Sequence, residues 1–155
     1  LIEVNILALT RLCHALGNSM ALHGGGQILN VASVAAFQPG PWMSTYYASK
    51  AYVLHFSEGL REELKSCGIK VSVLCPGPTR TAFFGTAQMD TAKLDRQQLM
   101  SPEEVALYTV RALEKNKAII IPGRRNRWIA FSPRFSPRWL TRKIAGAINK
   151  AYCPR

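Results

Sequence analysis

Three stretches with helical periodicity alternate with three short apolar runs along this chain, and that alternation constrains the fold more than any other feature. Residues 3–21 place Val4, Leu7, Ala8, Leu12, Ala15 and Leu16 at helical spacing. Gln27 to Ala32 form the first apolar run, with Ile28 and Val31. Residues 45–66 return to helical spacing through Tyr52, Val53, Phe56, Leu60 and Leu64, and Gly68 stands where a helix C′ residue falls. Ile69 to Cys75 form the second run, stopped by Pro76-Gly77-Pro78. Ser101-Pro102-Glu103-Glu104 is a helix start, with Ser101 as N-cap, Pro102 at N1 and Glu104 closing a capping box. That helix is predicted to reach about Asn116, and Ala118 to Ile121 form the third run, ended by Pro122. Strands separated by whole helices are joined by crossovers, not hairpins, so the expected class is α/β with a parallel sheet.

In such sheets ligands settle beyond the carboxyl ends of the strands. Ser33 ends the first run and Pro76-Gly77 ends the second, so both should border one crevice. Tyr46 and Lys50 lie four residues apart at the start of the intervening helix, one turn apart on one face. A free phenol titrates near pH 10, too high for ready proton exchange at neutrality. A cation within about 4–6 Å favours the phenolate, so Lys50 is expected to lower the pKa of Tyr46. Tyr46 would then serve as general acid or base toward a carbonyl or alcohol oxygen, with the Ser33 hydroxyl holding that oxygen. This chemistry needs no metal. The four cysteines, at 13, 67, 75 and 153, show no zinc-ligand spacing.

Tyr46-Tyr47-Ala48-Ser49-Lys50 fits Y-x-x-x-K, Asn30-Val31-Ala32-Ser33 places a serine thirteen residues earlier, and Pro76-Gly77-Pro78-Thr79-Arg80-Thr81 fits P-G-x-x-x-T. In this order and spacing the chain resembles the short-chain dehydrogenase/reductase family over roughly residues 1–122. The resemblance implies a Rossmann-type, doubly wound parallel sheet and NAD or NADP as cofactor. It makes Tyr46 the acid/base, Lys50 the group that lowers its pKa and binds the nicotinamide ribose, and Ser33 the substrate-positioning residue. Asn5 matches the family's fourth catalytic residue, which holds a water in the proton relay. Thr81 matches the residue that contacts the nicotinamide carboxamide, and Pro76, Gly77 and Thr79 complete the cofactor-binding turn.

The family's glycine-rich T-G-x-x-x-G-x-G turn and its N-N-A-G segment have no counterpart here. The expectation is therefore a piece of a longer protein, with the N-terminal βαβ portion missing. The implied reaction is hydride transfer interconverting a secondary alcohol and its carbonyl compound. The alternative is a truncated, non-catalytic module that binds a partner or a membrane surface through its tail.

Phe37, Trp42, Phe83, Phe84 and Met89 flank the expected site in sequence, and the first four are taken as lining a pocket for an apolar substrate. His23-Gly24-Gly25-Gly26 precedes a strand, so it reads as a turn and not as a dinucleotide fingerprint. His14 and His55 fall within helices and read as packing or surface residues.

Nine of the eleven units of formal net positive charge belong to the C-terminal segment. From Gly123 to Arg155 there are nine Lys or Arg and no acid, whereas the rest of the chain carries eleven basic and nine acidic side chains. Residues 1–122 are thus read as the catalytic half of the domain and 123–155 as a basic aromatic extension. Within it an amphipathic helix is predicted from about Pro137 to Tyr152. Capping of the fold or cleft and peripheral contact with an anionic membrane are the readings kept for this segment. Nucleic acid is not expected, because no recognition module accompanies the charge. Unpaired cysteine spacing and the lack of a long uncharged apolar run fit a reduced, cytoplasmic setting. By the resemblance, the complete protein pairs through the helices at 3–21 and 45–66 as a homodimer or homotetramer.

Overall fold

The computed structural model describes residues 1–81 and 99–152. The strands are β1 (Gly26–Val31), β2 (Ile69–Leu74) and β3 (Ile119–Ile120), and the sheet they form is parallel, in the order β1-β2-β3. The α-helices are α1 (Leu9–Leu22), α2 (Ser44–Glu63), α3 (Pro102–Glu114), α4 (Arg124–Phe131) and α5 (Arg138–Tyr152). A π-helical stretch, Glu3–Ala8, leads directly into α1, and 3₁₀ turns cover Val34–Phe37, Lys65–Cys67 and Ser132–Phe135.

β2 is central, and its composition explains why. Ile69, Val71, Val73 and Leu74 are all buried, the near-continuous apolar run required of a parallel strand covered on both faces. Ile69 and Val71 pack with Ile28 and Cys13 beneath Leu9, Met20, Phe56, Leu60 and Leu64 of α1, α2 and the turn after α2. Leu74 and Ile120 pack on the opposite face with Val105 and Ala112 of α3. Helices therefore cover both faces, which is the doubly wound arrangement expected from the sequence. The register Gly26↔Ile69 through Val31↔Leu74 is extended by Ala32 N–H to Leu74 O at 2.7 Å and Val34 N–H to Pro76 O at 3.0 Å. Ser33 and Pro76 are thereby brought side by side at the carboxyl end of the sheet.

The ends of the elements follow local chemistry. The Ser101 capping box forms in full, with Glu104 N–H to Ser101 Oγ at 3.2 Å and Ser101 N–H to Glu104 Oε2 at 2.7 Å. Gly68 adopts φ +71°, a conformation glycine takes without steric cost, and it turns the chain from the 3₁₀ turn Lys65–Cys67 into β2. The helix expected over 45–66 gives way after Glu63 to that 3₁₀ turn. The helix expected over 3–21 is π-helical over its first six residues, Glu3–Ala8. The third strand is shorter than the apolar run Ala118 to Ile121, although Val73 N–H still reaches Ala118 O at 2.8 Å.

The basic segment folds back onto this framework. Ala130 of α4 is buried in the same cluster as Ala32, Ala36, Val53, Val73 and Cys75. α5 buries Thr141, Ala145 and Asn149. The segment thus packs against the sheet and α2 through these buried residues, and α4 is an addition to the helix foreseen there.

Candidate active site

Ser33 lies just past β1 in extended backbone, φ −172° and ψ 162°, and caps the 3₁₀ turn Val34–Phe37 by accepting from Ala35 N–H at 3.1 Å. Its hydroxyl also reaches Pro76 O at 3.5 Å. This fixes the serine in both position and rotamer where the first two strands end. A hydrogen bond with Ser33 links it to Tyr46, the third residue of α2.

Lys50, one turn further along α2, donates to the Val31 carbonyl at 3.0 Å, and its Nζ stands 5.9 Å from the centroid of the Tyr46 ring. The three side chains named from sequence do converge. The electrostatics differ from the expectation. Burial pushes the Tyr46 phenol above its ordinary value, and the Ser33 hydrogen bond only partly offsets this. Burial also lowers the pKa of Lys50, whose ammonium is already engaged with the Val31 carbonyl. The lowering of Tyr46 by Lys50 is thus not present in this structure.

Asn5, in the π-helical stretch, donates through Nδ2 to Ser49 Oγ at 3.0 Å, and Ser49 Oγ donates to Tyr46 O at 2.8 Å. Ser49 is almost fully buried, so this chain of bonds pins the first helix to the turn of α2 that lies between Tyr46 and Lys50. The sequence pattern did not single out Ser49. It occupies a variable position of Y-x-x-x-K, and only its burial reveals the role.

Cys75 lies beneath the site with no exposure. Its thiol is pushed up to about 12 by burial, against a hydrogen bond from the Ser33 backbone that favours the thiolate. Such a thiol is inert at neutral pH.

The family model for short chain dehydrogenases matches residues 1–92, more than half of the chain. The chain belongs to the short-chain dehydrogenase family. Among curated relatives, a probable oxidoreductase, EphD, of Mycobacterium tuberculosis is 31% identical over 134 residues, covering 76% of this chain and 23% of that protein. The ketoacyl reductase HetN of a Nostoc species is 34% identical over 116 residues, covering 74% of this chain and 39% of that protein. A solved short-chain dehydrogenase from Sphingobium yanoikuyae, in complex with NADPH, superposes with a TM-score of 0.76 at 35% identity, covering 87% of this chain and 53% of that one. The chain thus spans about half the length of that solved structure and less of the two curated relatives.

The remaining short-chain dehydrogenase positions are distributed as follows. Pro76 accepts from Val34 N–H and Ser33 Oγ, so it belongs to the site's floor. At Gly77 a β-carbon would run into the Asn126 side chain of α4, so the basic segment packs directly on the P-G turn. Thr79 Oγ1 donates back to Gly77 O at 3.0 Å, while Thr81 is exposed in a bend. Phe37 packs against the core cluster around Val53 and also lines an open groove of about 630 Å³ between α2 and the basic segment. Trp42 is half exposed, with Lys150 of α5 at 5.9 Å from its ring centroid. Phe83 and Phe84 lie outside the described residues. Among the described residues there is no cluster of His, Cys, Asp or Glu that could hold a metal ion.

Proposed function

We propose that this chain supplies the proton-handling half of a nicotinamide-dependent enzyme that interconverts a secondary alcohol and its carbonyl compound. The observation that carries this reading is the convergence of Ser33, Tyr46 and Lys50 at the carboxyl ends of β1 and β2.

The donor set fits the nicotinamide end of an NAD or NADP cofactor. A lysine ammonium has three donors, and the described bond to Val31 O uses one of them, leaving the others for ribose hydroxyls. Tyr46 would share that contact, and the turn from Pro76 and Gly77 to Thr79 and Thr81 would border the carboxamide. When bound, the cofactor supplies or accepts the hydride. Ser33, oriented by Ala35 N–H, holds the substrate oxygen against Tyr46. Tyr46 donates its proton to that oxygen in the reducing direction and takes it back in the oxidising direction. The Asn5–Ser49–Tyr46 bonds keep the phenol in register with the serine.

The aromatic residues Phe37, Trp42, Phe83 and Phe84 support a bulky apolar substrate. Exposed Val4, Leu12 and Leu16 on the first helical segment support assembly of the complete protein as a homodimer or homotetramer. The free thiols of Cys13, Cys67 and Cys75 support a cytoplasmic setting. The test is consumption of NADPH and NADH with a panel of bulky apolar ketones by the complete protein, compared with its Tyr46→Phe variant. Turnover should fall by about two to four orders of magnitude on losing the general acid. Turnover that survives Tyr46→Phe unchanged would reject the assignment.

A further inference from the structure

α5 carries two unlike long faces. The side formed by Thr141, Ala145 and Asn149 is buried, and Asn149 Nδ2 donates to Pro41 O at 3.0 Å. These small or polar residues recur every four positions, which puts them in one row. The flank beside this row, centred about 115° round the helix from it, holds the larger aliphatic residues. Leu140, Ile144, Ala147, Ile148 and Ala151 follow i, i+4, i+7, i+8 and i+11 spacing, and Ile144 and Ile148 are half exposed. In a helix that served only to cap the domain, the large aliphatic side would face inward.

Cations and tryptophans edge this outward strip. Trp139, Lys143 and Lys150 share the adjoining side of the helix by the same periodicity. Lys143 Nζ stands 5.4 Å from the Trp139 ring centroid, and Lys150 Nζ stands 5.9 Å from that of Trp42. Trp42 adopts φ +71°, rare for a bulky residue, and is half exposed beside the helix. Arg138 and Arg142 point elsewhere, into the groove beside α2. Trp128 and Phe135, in the segment leading to α5, are 74% and 86% exposed.

We infer that the outward half of α5, with Trp42, is a docking face for an anionic lipid bilayer. An aliphatic strip bordered by lysines and tryptophans matches the membrane interface, where hydrocarbon, indole rings and anionic headgroups meet within a few ångströms. Charge decides among occupants. The segment 123–155 holds nine cations and no anion, so an anionic surface is complementary to it. A second copy would bring Lys143 and Lys150 against their own equivalents. A nucleic acid would leave the aliphatic strip in water. The helix lies on the surface and does not cross: its 15 residues span about 22 Å, short of a hydrocarbon core of about 30 Å. Among the described residues no helix is long and apolar enough to cross a membrane. Apart from Trp42, which the substrate reading also uses, this inference is independent of the catalytic reading.

The test is co-sedimentation of the full chain with phosphatidylcholine vesicles, with and without about a third phosphatidylglycerol, at low and physiological salt. Binding is expected only to the anionic vesicles. Lys143→Glu/Lys150→Glu and Ile144→Ser/Ile148→Ser should each weaken it at least about tenfold. Lys65→Glu/Lys70→Glu, which changes net charge equally at exposed sites outside the segment, should leave it within about twofold. Circular dichroism confirms that each variant is folded. Absence of binding to anionic vesicles, equal loss in the Lys65/Lys70 variant, or no loss in the Ile144/Ile148 variant would each overturn the inference. So would self-association in sedimentation velocity that the Ile144/Ile148 variant abolishes.

Discussion

Tyr47 donates its hydroxyl to Asn149 Oδ1 at 3.0 Å, while Tyr46, its neighbour on the same helix, is hydrogen-bonded to Ser33. Two successive tyrosines thus tie α2 to the C-terminal helix and to the candidate catalytic serine. Asn149 completes the link by donating to Pro41 O, in the loop between Ser33 and Tyr46. The segment from Ser33 to Tyr46 is therefore held at both ends and, through Pro41, in the middle.

Replacing Asn149 with leucine removes both bonds and leaves the Tyr47 hydroxyl and the Pro41 carbonyl without this partner. Each such loss costs about 1–3 kcal/mol when the group is fully buried; both bonds here are part-buried, so a total of about 2–4 kcal/mol, the lower part of the summed range, is expected. Urea titration measures this. Tyr47→Phe in the Asn149→Leu background should then cost less than Tyr47→Phe alone, because the hydroxyl it removes no longer has its acceptor.

Asn30 forms a second tie. Cys13 Sγ donates to its Oδ1 at 3.4 Å, its Nδ2 donates to Ser57 Oγ at 2.9 Å, and Ser57 Oγ donates to Val53 O at 2.6 Å. This buried row joins α1, β1 and α2 three residues before Ser33. Asn30→Ala should destabilise the chain by about 2–4 kcal/mol, while Ser57→Ala, whose loss leaves Asn30 its other bond, should cost about half as much. A difference in denaturant midpoint of the opposite sign would show that the row does not bear on stability.

The parts legible from sequence were those where local and tertiary demands agree. Ile69 to Leu74 read as a covered strand because the run is short, rich in β-branched Ile69, Val71 and Val73, and bounded by Gly68 and Pro76. Ser101 to Glu104 carry their own cap. Ser33, Tyr46 and Lys50 could be placed together from a strand end and a one-turn spacing alone. α4 was not legible, because Arg124-Arg125-Asn126-Arg127 opens a helix with charge, and its one buried side chain, Ala130, gives no periodic signal. The π-helical stretch at Glu3–Ala8 has the same apolar spacing as an α-helix, so periodicity does not distinguish them. The direction of the Tyr46 shift was also hidden, since burial of a phenol depends on what covers it.

That shift can be measured without turnover. The alkaline difference spectrum of the chain minus that of Tyr46→Phe isolates one phenol among five. Burial raises its pKa, so the midpoint should lie above the ordinary value of 10.0. Ser33→Ala removes the hydrogen bond that favours the phenolate and should move the midpoint higher still. A midpoint below 10 in the chain as it stands would mean that Lys50 governs the phenol after all.

Cys75 gives the last prediction, and its sign follows from linkage. An unfolded cysteine loses its proton near 9.0, but in the folded chain the Cys75 thiol is pushed up to about 12. Above pH 9 the folded state therefore holds a proton that the unfolded state has released. The stability associated with this group is fully present below pH 9 and falls as pH rises toward 12, by about 1.4 kcal/mol per unit. Tyr46 adds to the fall from its own higher starting point, whereas Lys50, lowered by burial, opposes it. Comparing the chain with Cys75→Ala isolates the thiol: the variant's urea midpoint should decline less steeply between pH 9 and about 11. In a Cys153→Ser background at pH 8, a disulfide reagent should label exposed Cys67 quickly and reach buried Cys13 and Cys75 only on unfolding. Rapid native labelling of Cys75 would contradict both its burial and its raised pKa.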